Sequence, residues 1–244
     1  CYMADEYDQI TSFHYSAYRP PLHNPILDKC ISKNQRYNTG LDLGCGTGQS
    51  SIALAKYCEK VIGLEPSKQM LKKSIRRDRI NYHLFNGIDL NFSNDTFDII
   101  TFAGSLYYAK SQNLLDEAIR VSKRNAKIII YDFEINLDNI LMKLIGRTTD
   151  PNNQKYNHEE DFSGLSQNNI QKETSSKYKV LLKISNTEIL HLLLATKDLY
   201  LLLLETFGVD QLETKMSSGL DQLFPLKTHE FNVNIYYTVY SVVK

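Results

Sequence analysis

A chain of 244 residues, 42% hydrophobic and 23% charged, has the ordinary make-up of a globular protein with a full core, which excludes a fibrous or disordered chain. Lysine plus arginine equals aspartate plus glutamate at 28 each, so no net field draws it to nucleic acid or to an acidic membrane surface. The four cysteines, Cys1, Cys30, Cys45 and Cys58, lack zinc-type or redox-type spacing, which predicts a reduced, cytoplasmic protein without a metal site.

The opening CYMADEYD has neither a basic stretch nor an apolar run, so no leader is expected, and Met3 reads as the natural start. Residues 1–36 are expected to form an arm over a cleft, in which the tyrosine-rich FHYSAYRPPLHNP leads into a helix around Ile26–Ser32. Over 37–135, short apolar runs alternate with helix-patterned segments, which predicts a doubly wound, mostly parallel sheet covered on both faces. Its strands are expected at Thr39–Leu43, Lys60–Glu65, Asn81–Phe85, Phe97–Phe102 and Lys127–Phe133, and its helices at Ser50–Tyr57, Ser67–Ile75 and Asn113–Val121. Residues 136–206 read as an insertion: a polar surface loop over 146–177, a short strand at Val180–Ile184, then a leucine-rich helix. Ser185 would cap that helix and Gly208 would follow its end. The run Ile189–Leu204 is interrupted by Lys197 and Asp198 and is too short to span a bilayer. Residues 207–244 are expected to complete the sheet, with Phe231–Val243 as an antiparallel final strand.

The strongest chemical signal is Leu41-Asp42-Leu43-Gly44-Cys45-Gly46-Thr47-Gly48-Gln49-Ser50, between the first strand and a helix. Glycines there allow a tight turn and close approach of a ligand to the main chain, at the strand ends where such sheets bind ligands. A dinucleotide fingerprint would need glycine where Gln49 stands, which weakens a nicotinamide oxidoreductase reading.

LDLGCGTG resembles the first motif of class I S-adenosylmethionine-dependent methyltransferases. GLEPSKQML, LNFSNDTFDII and LLDEAIRVSKRNAKIII resemble later motifs in register, and YSAYRPP resembles the arm of small-molecule members, so the likeness covers about residues 10–135. It implies a Rossmann-like, seven-stranded methyltransferase sheet and S-adenosylmethionine as cofactor. Residues implied to bind it are Asp42, Gly44, Cys45, Gly46, Gly48, Glu65, Pro66, Asn86, Gly87, Ile88 and Ala103. Glu65 would take the ribose hydroxyls, and Asn86 stands where the family often has aspartate for the adenine amino group. Arg124-Asn125-Ala126 replaces the usual Gly-Gly turn before strand five.

Methyl transfer obliges no particular catalytic side chain, and the catalytic residues stay unassigned. The acceptor expected is a small molecule; RNA or protein methylation, and non-catalytic adenosylmethionine binding, are the alternatives, with the oligomeric state open. Lys68, Lys72, Lys73, Arg76, Arg77 and Arg79 read as a solvated helix face rather than an RNA site. His14, Tyr15 and Arg19 either close over the cofactor or pack on their own domain, and at most one of Tyr107 and Tyr108 faces the site. Asp132 and Glu134, near the end of strand five, are each a candidate base or a rim charge. The leucine-rich helix either walls a pocket or covers a sheet or partner.

Overall fold

The computed structural model describes residues 2–86, 89–148 and 156–244, with side chains from residue 9 onward. Its strands are β1 (Tyr37–Leu43), β2 (Cys58–Glu65), β3 (Ile80–Leu84), β4 (Phe97–Ala103), β5 (Ser122–Ile135), β6 (Ile170–Ser185) and β7 (Thr228–Val242). The helices in chain order are α1 (Tyr2–Ala17), α2 (His23–Cys30), α3 (Gln49–Leu54), α4 (Lys68–Lys72), α5 (Leu106–Ala109), α6 (Gln112–Val121), α7 (Asp138–Ile145), α8 (Asn186–Leu194), α9 (Lys197–Phe207) and α10 (Leu212–Leu223). These elements cluster into two units, each drawn from three stretches of chain.

The sheet unit takes residues 20–133, 156–178 and 235–244. Strand order is β3-β2-β1-β4-β5-β7-β6, parallel through β5 and antiparallel at the C-terminal end, as the expected doubly wound class requires. Leu41, Leu43, Val61, Phe97, Ile99, Ile100, Ile128 and Ile129 are all buried, the near-continuous apolar character that a sheet covered on both faces needs. Helix α6 turns Leu114, Leu115, Ala118, Ile119 and Val121 inward, and Ser111 caps it by accepting from the Leu114 amide at 3.2 Å.

Strands β5 and β6 begin well before their expected starts, for physical reasons. Strand β5 begins at Ser122 rather than Lys127 because Ser122 already pairs with Phe97. A register shift follows before Lys127 meets Ile99, and Asn125 within it takes φ +65°, which asparagine tolerates better than most residues. Strand β6 begins at Ile170, inside the stretch expected as loop. Its exposed polar and lysine-rich residues hide the apolar alternation, as suits an edge strand that must not recruit other chains.

The helical unit takes Cys1–Arg19, Glu134–Lys155 and Lys179–Asn234. The N-terminal arm is therefore the helix α1, and it clusters with the insertion. Ser185 forms a full capping box with Glu188 at the start of α8. The leucine-rich stretch is two helices rather than one, since Thr196 takes an extended conformation and starts α9; Gly208 ends α9 at φ +74°. Residues 207–244 hold helix α10 ahead of their strand, where strands were expected. Its buried Leu212, Met216 and Leu220 recur every fourth residue, a helical period. The Asn186 amide ties α8 to α10, donating to Asp221 Oδ1 at 2.8 Å and to the carbonyls of Leu220 and Phe224. Among the described residues no helix is long and apolar enough to cross a membrane.

Candidate active site

The register of the central strands brings the motif residues to one end of the sheet. Leu43 lies opposite both Leu64 and Phe102, so Gly44, Glu65 and Ala103 mark neighbouring strand ends, where β1 parts from its two parallel neighbours. Ligand crevices in open α/β sheets form at such a point.

The loop after β1 is built by its own packing. Gly44 and Gly48 have φ of +75° and +95°, and a Cβ on them would lie 2.3 Å from Ser105 Cβ and 2.2 Å from the Tyr82 hydroxyl oxygen. A side chain at either position would be strained. The amides of Gly44 and Cys45 both donate to the Leu64 carbonyl, at 2.8 and 3.0 Å, and the Ser105 hydroxyl donates to the Leu43 carbonyl.

Asp42 lies beneath the loop, fully buried. Its carboxylate accepts from the Ser50 and Ser51 hydroxyls, each at 2.6 Å, and from Thr101 Oγ1 at 2.9 Å. Burial pushes its pKa up, and the three hydroxyls oppose that rise. Asp42 thus pins the start of α3 to β1 and β4.

Glu65 ends β2 at 8% exposure. Its Oε2 accepts from the Gly46 amide and its Oε1 from the Ser67 amide, both at 2.9 Å. Burial raises its pKa, the two amides oppose the rise, and the Asp42 charge adds to it. Each oxygen of a carboxylate has a second lone pair, so this group, aimed by two backbone donors, can accept two further hydrogen bonds. Cys45 is buried and its thiol is pushed up by burial and by the charges of Asp42 and Glu65, so it is no nucleophile.

Residues 41–130 match the model of the methyltransferase domain family. Over those residues the chain is similar to a methyltransferase domain. A protein of Dictyostelium discoideum assigned as a methyltransferase is 27% identical over 120 residues, 49% of this chain and 46% of that one. The demethylmenaquinone methyltransferase of Clavibacter sepedonicus is 37% identical over 98 residues, 38% of this chain and 40% of its own. The matches thus span about half the length of these curated relatives or less. A chain from Anaeromyxobacter dehalogenans assigned as a type II methyltransferase superposes with TM-score 0.64 at 16% identity, over 93% of this chain and 98% of that one, a likeness of fold.

Around this crevice the other residues picked from the sequence divide. Asn86 and Pro66 are exposed just beyond β3 and β2, while Gly87 and Ile88 lie outside the described residues. Most of the basic run from Lys68 to Arg79 is exposed. His14 is buried in the helical unit, its Nδ1 2.9 Å from His191 Nδ1, and Arg19 stacks over Tyr15 at 4.1 Å. Glu134 accepts from Asn234 at 3.0 Å within that unit. Tyr108 is 78% exposed, whereas the Tyr107 ring packs 4.6 Å from Tyr156.

Three groups escaped the sequence reading. The hydroxyls on Asp42 come partly from Thr101, 59 residues away, and carry no motif. Tyr82, on β3, closes over Gly48. His158 meets Asp132 from within the stretch read as polar loop. The signal present in the sequence was position: the end of strand five singled out Asp132 together with Glu134, but not His158.

Proposed function

We propose that this chain is an S-adenosylmethionine-dependent methyltransferase that acts on a small-molecule acceptor. The observation that carries the reading is the Glu65 carboxylate. It is aimed by the Gly46 and Ser67 amides, sits beside the glycine loop, and keeps acceptor capacity for a vicinal diol. That donor set fits the ribose of the cofactor. The glycine loop after β1 would face the methionine part, Asn86 would accept from the adenine amino group, and Ala103 would border the methyl position. Asp42 would act through the loop that it holds.

Bound S-adenosylmethionine supplies an activated methyl on a sulfonium. The chain's part is to hold the acceptor in line and to keep water out. A small acceptor is supported by the balanced charge, which provides no polyanion surface, and by the named substrate of the Clavibacter relative. Cys30, Cys45 and Cys58 are free thiols, which suits a reducing cytoplasm. Gln49 opens α3 where a dinucleotide fingerprint wants glycine, so NAD is not expected to bind. Calorimetric titration with S-adenosylmethionine, S-adenosylhomocysteine and NAD tests the reading: binding of the first two alone supports it, and binding of NAD alone refutes it.

A further inference from the structure

A chain of contacts leads away from the glycine loop to a titratable pair. Ser105 packs against Gly44, and Gly104 beside it is so close to Asp132 that a Cβ would stand 3.0 Å from Oδ1. Asp132 is held by the Phe133 amide on Oδ1 and accepts from His158 Nδ1 on Oδ2, both at 2.8 Å. A carboxylate accepts, so a neutral imidazole in this pair has its proton on Nδ1 and its lone pair on Nε2. Tyr156 fixes the imidazole from the other side: its hydroxyl donates to the Gly104 carbonyl at 2.8 Å, and its ring centroid is 4.6 Å from that of His158.

Tyrosine rings continue the row in both directions. Tyr107 lies 4.6 Å from Tyr156, and Tyr236 lies 6.1 Å from His158 at an interplanar angle of 15°. His158, Tyr131 and Tyr236 line a cavity of about 560 Å³, a size that takes a small organic molecule. The charges around it are paired: Lys177, over the Tyr236 ring, binds Glu159 at 2.6 Å; Lys110 binds Glu160; and Lys172 binds Asp161 at 2.7 Å. A charged acceptor therefore finds no unpaired partner among these groups, which favours a neutral one.

We propose that His158 is the general base of the transfer, with Asp132 as its positioning residue, and that the acceptor is a neutral phenolic hydroxyl seated in the cavity that His158 lines. The inference rests on the methyltransferase reading above. Nε2 takes the hydroxyl proton as the oxygen pair forms the new bond to the methyl carbon. The carbon–sulfur bond breaks with its electrons left on sulfur, and the imidazolium then returns its proton to water. A phenol suits an imidazole base, since its proton is far more acidic than that of an aliphatic alcohol, whereas a neutral amine would need no base.

The test uses 4-nitrocatechol and 1-naphthol as probes with the wild type, His158→Gln, Asp132→Asn and Asp132→Glu. S-adenosylmethionine titration should give the same affinity within about twofold in all four, which also shows them folded. With S-adenosylhomocysteine bound, the wild type should hold 4-nitrocatechol as its yellow anion at a pH where free probe is still protonated, and His158→Gln should lose that colour. Methylation of at least one probe should rise with pH to a plateau in the wild type. It should fall on the order of a hundredfold and lose the plateau in His158→Gln. Asp132→Glu should recover part of what Asp132→Asn loses. Wild-type binding of S-adenosylmethionine without methylation or binding of either probe overturns the phenolic acceptor. A His158→Gln enzyme with wild-type rate and pH profile overturns the base. Failure of the wild type to bind S-adenosylmethionine instead overturns the methyltransferase reading, and this inference with it.

Discussion

Replacing Glu65 with alanine separates a ligand-binding carboxylate from a structural one. In the free protein the carboxylate has two amide donors at 2.9 Å, so Glu65→Ala leaves the Gly46 and Ser67 N–H groups without that acceptor in a site only 8% exposed. Hydrogen bonds to a charged group contribute about 1.5–3 kcal/mol each, but the charge removed was itself costly to bury, so a net loss of about 1–3 kcal/mol is expected in urea unfolding. For the cofactor, two ribose hydroxyls lose a charged acceptor while water replaces part of it. Loss of about 1.5–3 kcal/mol corresponds to roughly 10- to 100-fold in Kd by calorimetry. S-adenosylmethionine and S-adenosylhomocysteine should suffer equally, because both carry the ribose. Glu65→Gln, which keeps one acceptor oxygen, should fall between. The folded pKa is raised by burial, so affinity should decline as pH falls through that raised value, while apo stability gains over the same descent because the buried charge is neutralised. Alanine binding both ligands within twofold of wild type would refute the assignment.

Other substitutions probe the same construction. Asn86→Asp should keep or improve S-adenosylmethionine affinity, since either side chain can accept from the adenine amino group, and a loss beyond tenfold by calorimetry would assign Asn86 a donor's role. Because burial raises the folded pKa of Asp42, ionising it costs stability as pH rises through that value. Asp42→Asn should therefore gain on the wild type in urea unfolding between acid and neutral pH, and a constant difference would contradict the shift. Gly48→Ala, at φ +95° and against the Tyr82 hydroxyl, should cost about 2–4 kcal/mol in the same assay, whereas a loss under about 1 kcal/mol would mean that the loop yields. Phe162 is fully buried between Phe102 and Tyr240, so Phe162→Ala should cost about 3–5 kcal/mol; it should also lower turnover by loosening the segment that carries His158, and unchanged turnover would separate the two.

Local chemistry was legible where one stretch of chain supplies all of it. The glycine loop, with strand before and helix after, announces itself because its constraint is local, and Glu65 follows from its place at a strand end. The Ser185 cap is legible for the same reason, its partner amide at Glu188 being three residues on. What the sequence hid depends on distant partners. Asp42 looks like any acid in a motif until Thr101 arrives beside it, and His158 looks like loop until β5 delivers Asp132. Strand β6 was obscured by its position: an edge strand with solvated residues has no apolar alternation to read. Helix α10 did carry its period in Leu212, Met216 and Leu220, but three apolar residues in a polar stretch are a faint signal.

Strand β7 lies between β5 and β6, yet it is the last of the three to be made. On the ribosome, therefore, β5 and β6 emerge with facing edges that must wait for a strand still in the exit tunnel. Each has a row of unpaired peptide groups during that interval, and pairing with each other or with a neighbouring chain would trap the sheet in a wrong order. The lysines scattered along β6, at 172, 177, 179 and 183, set repelling charge on one of the two waiting edges. The charge that guards the outer edge of the finished sheet thus also disfavours early pairing of β6 before β7 arrives.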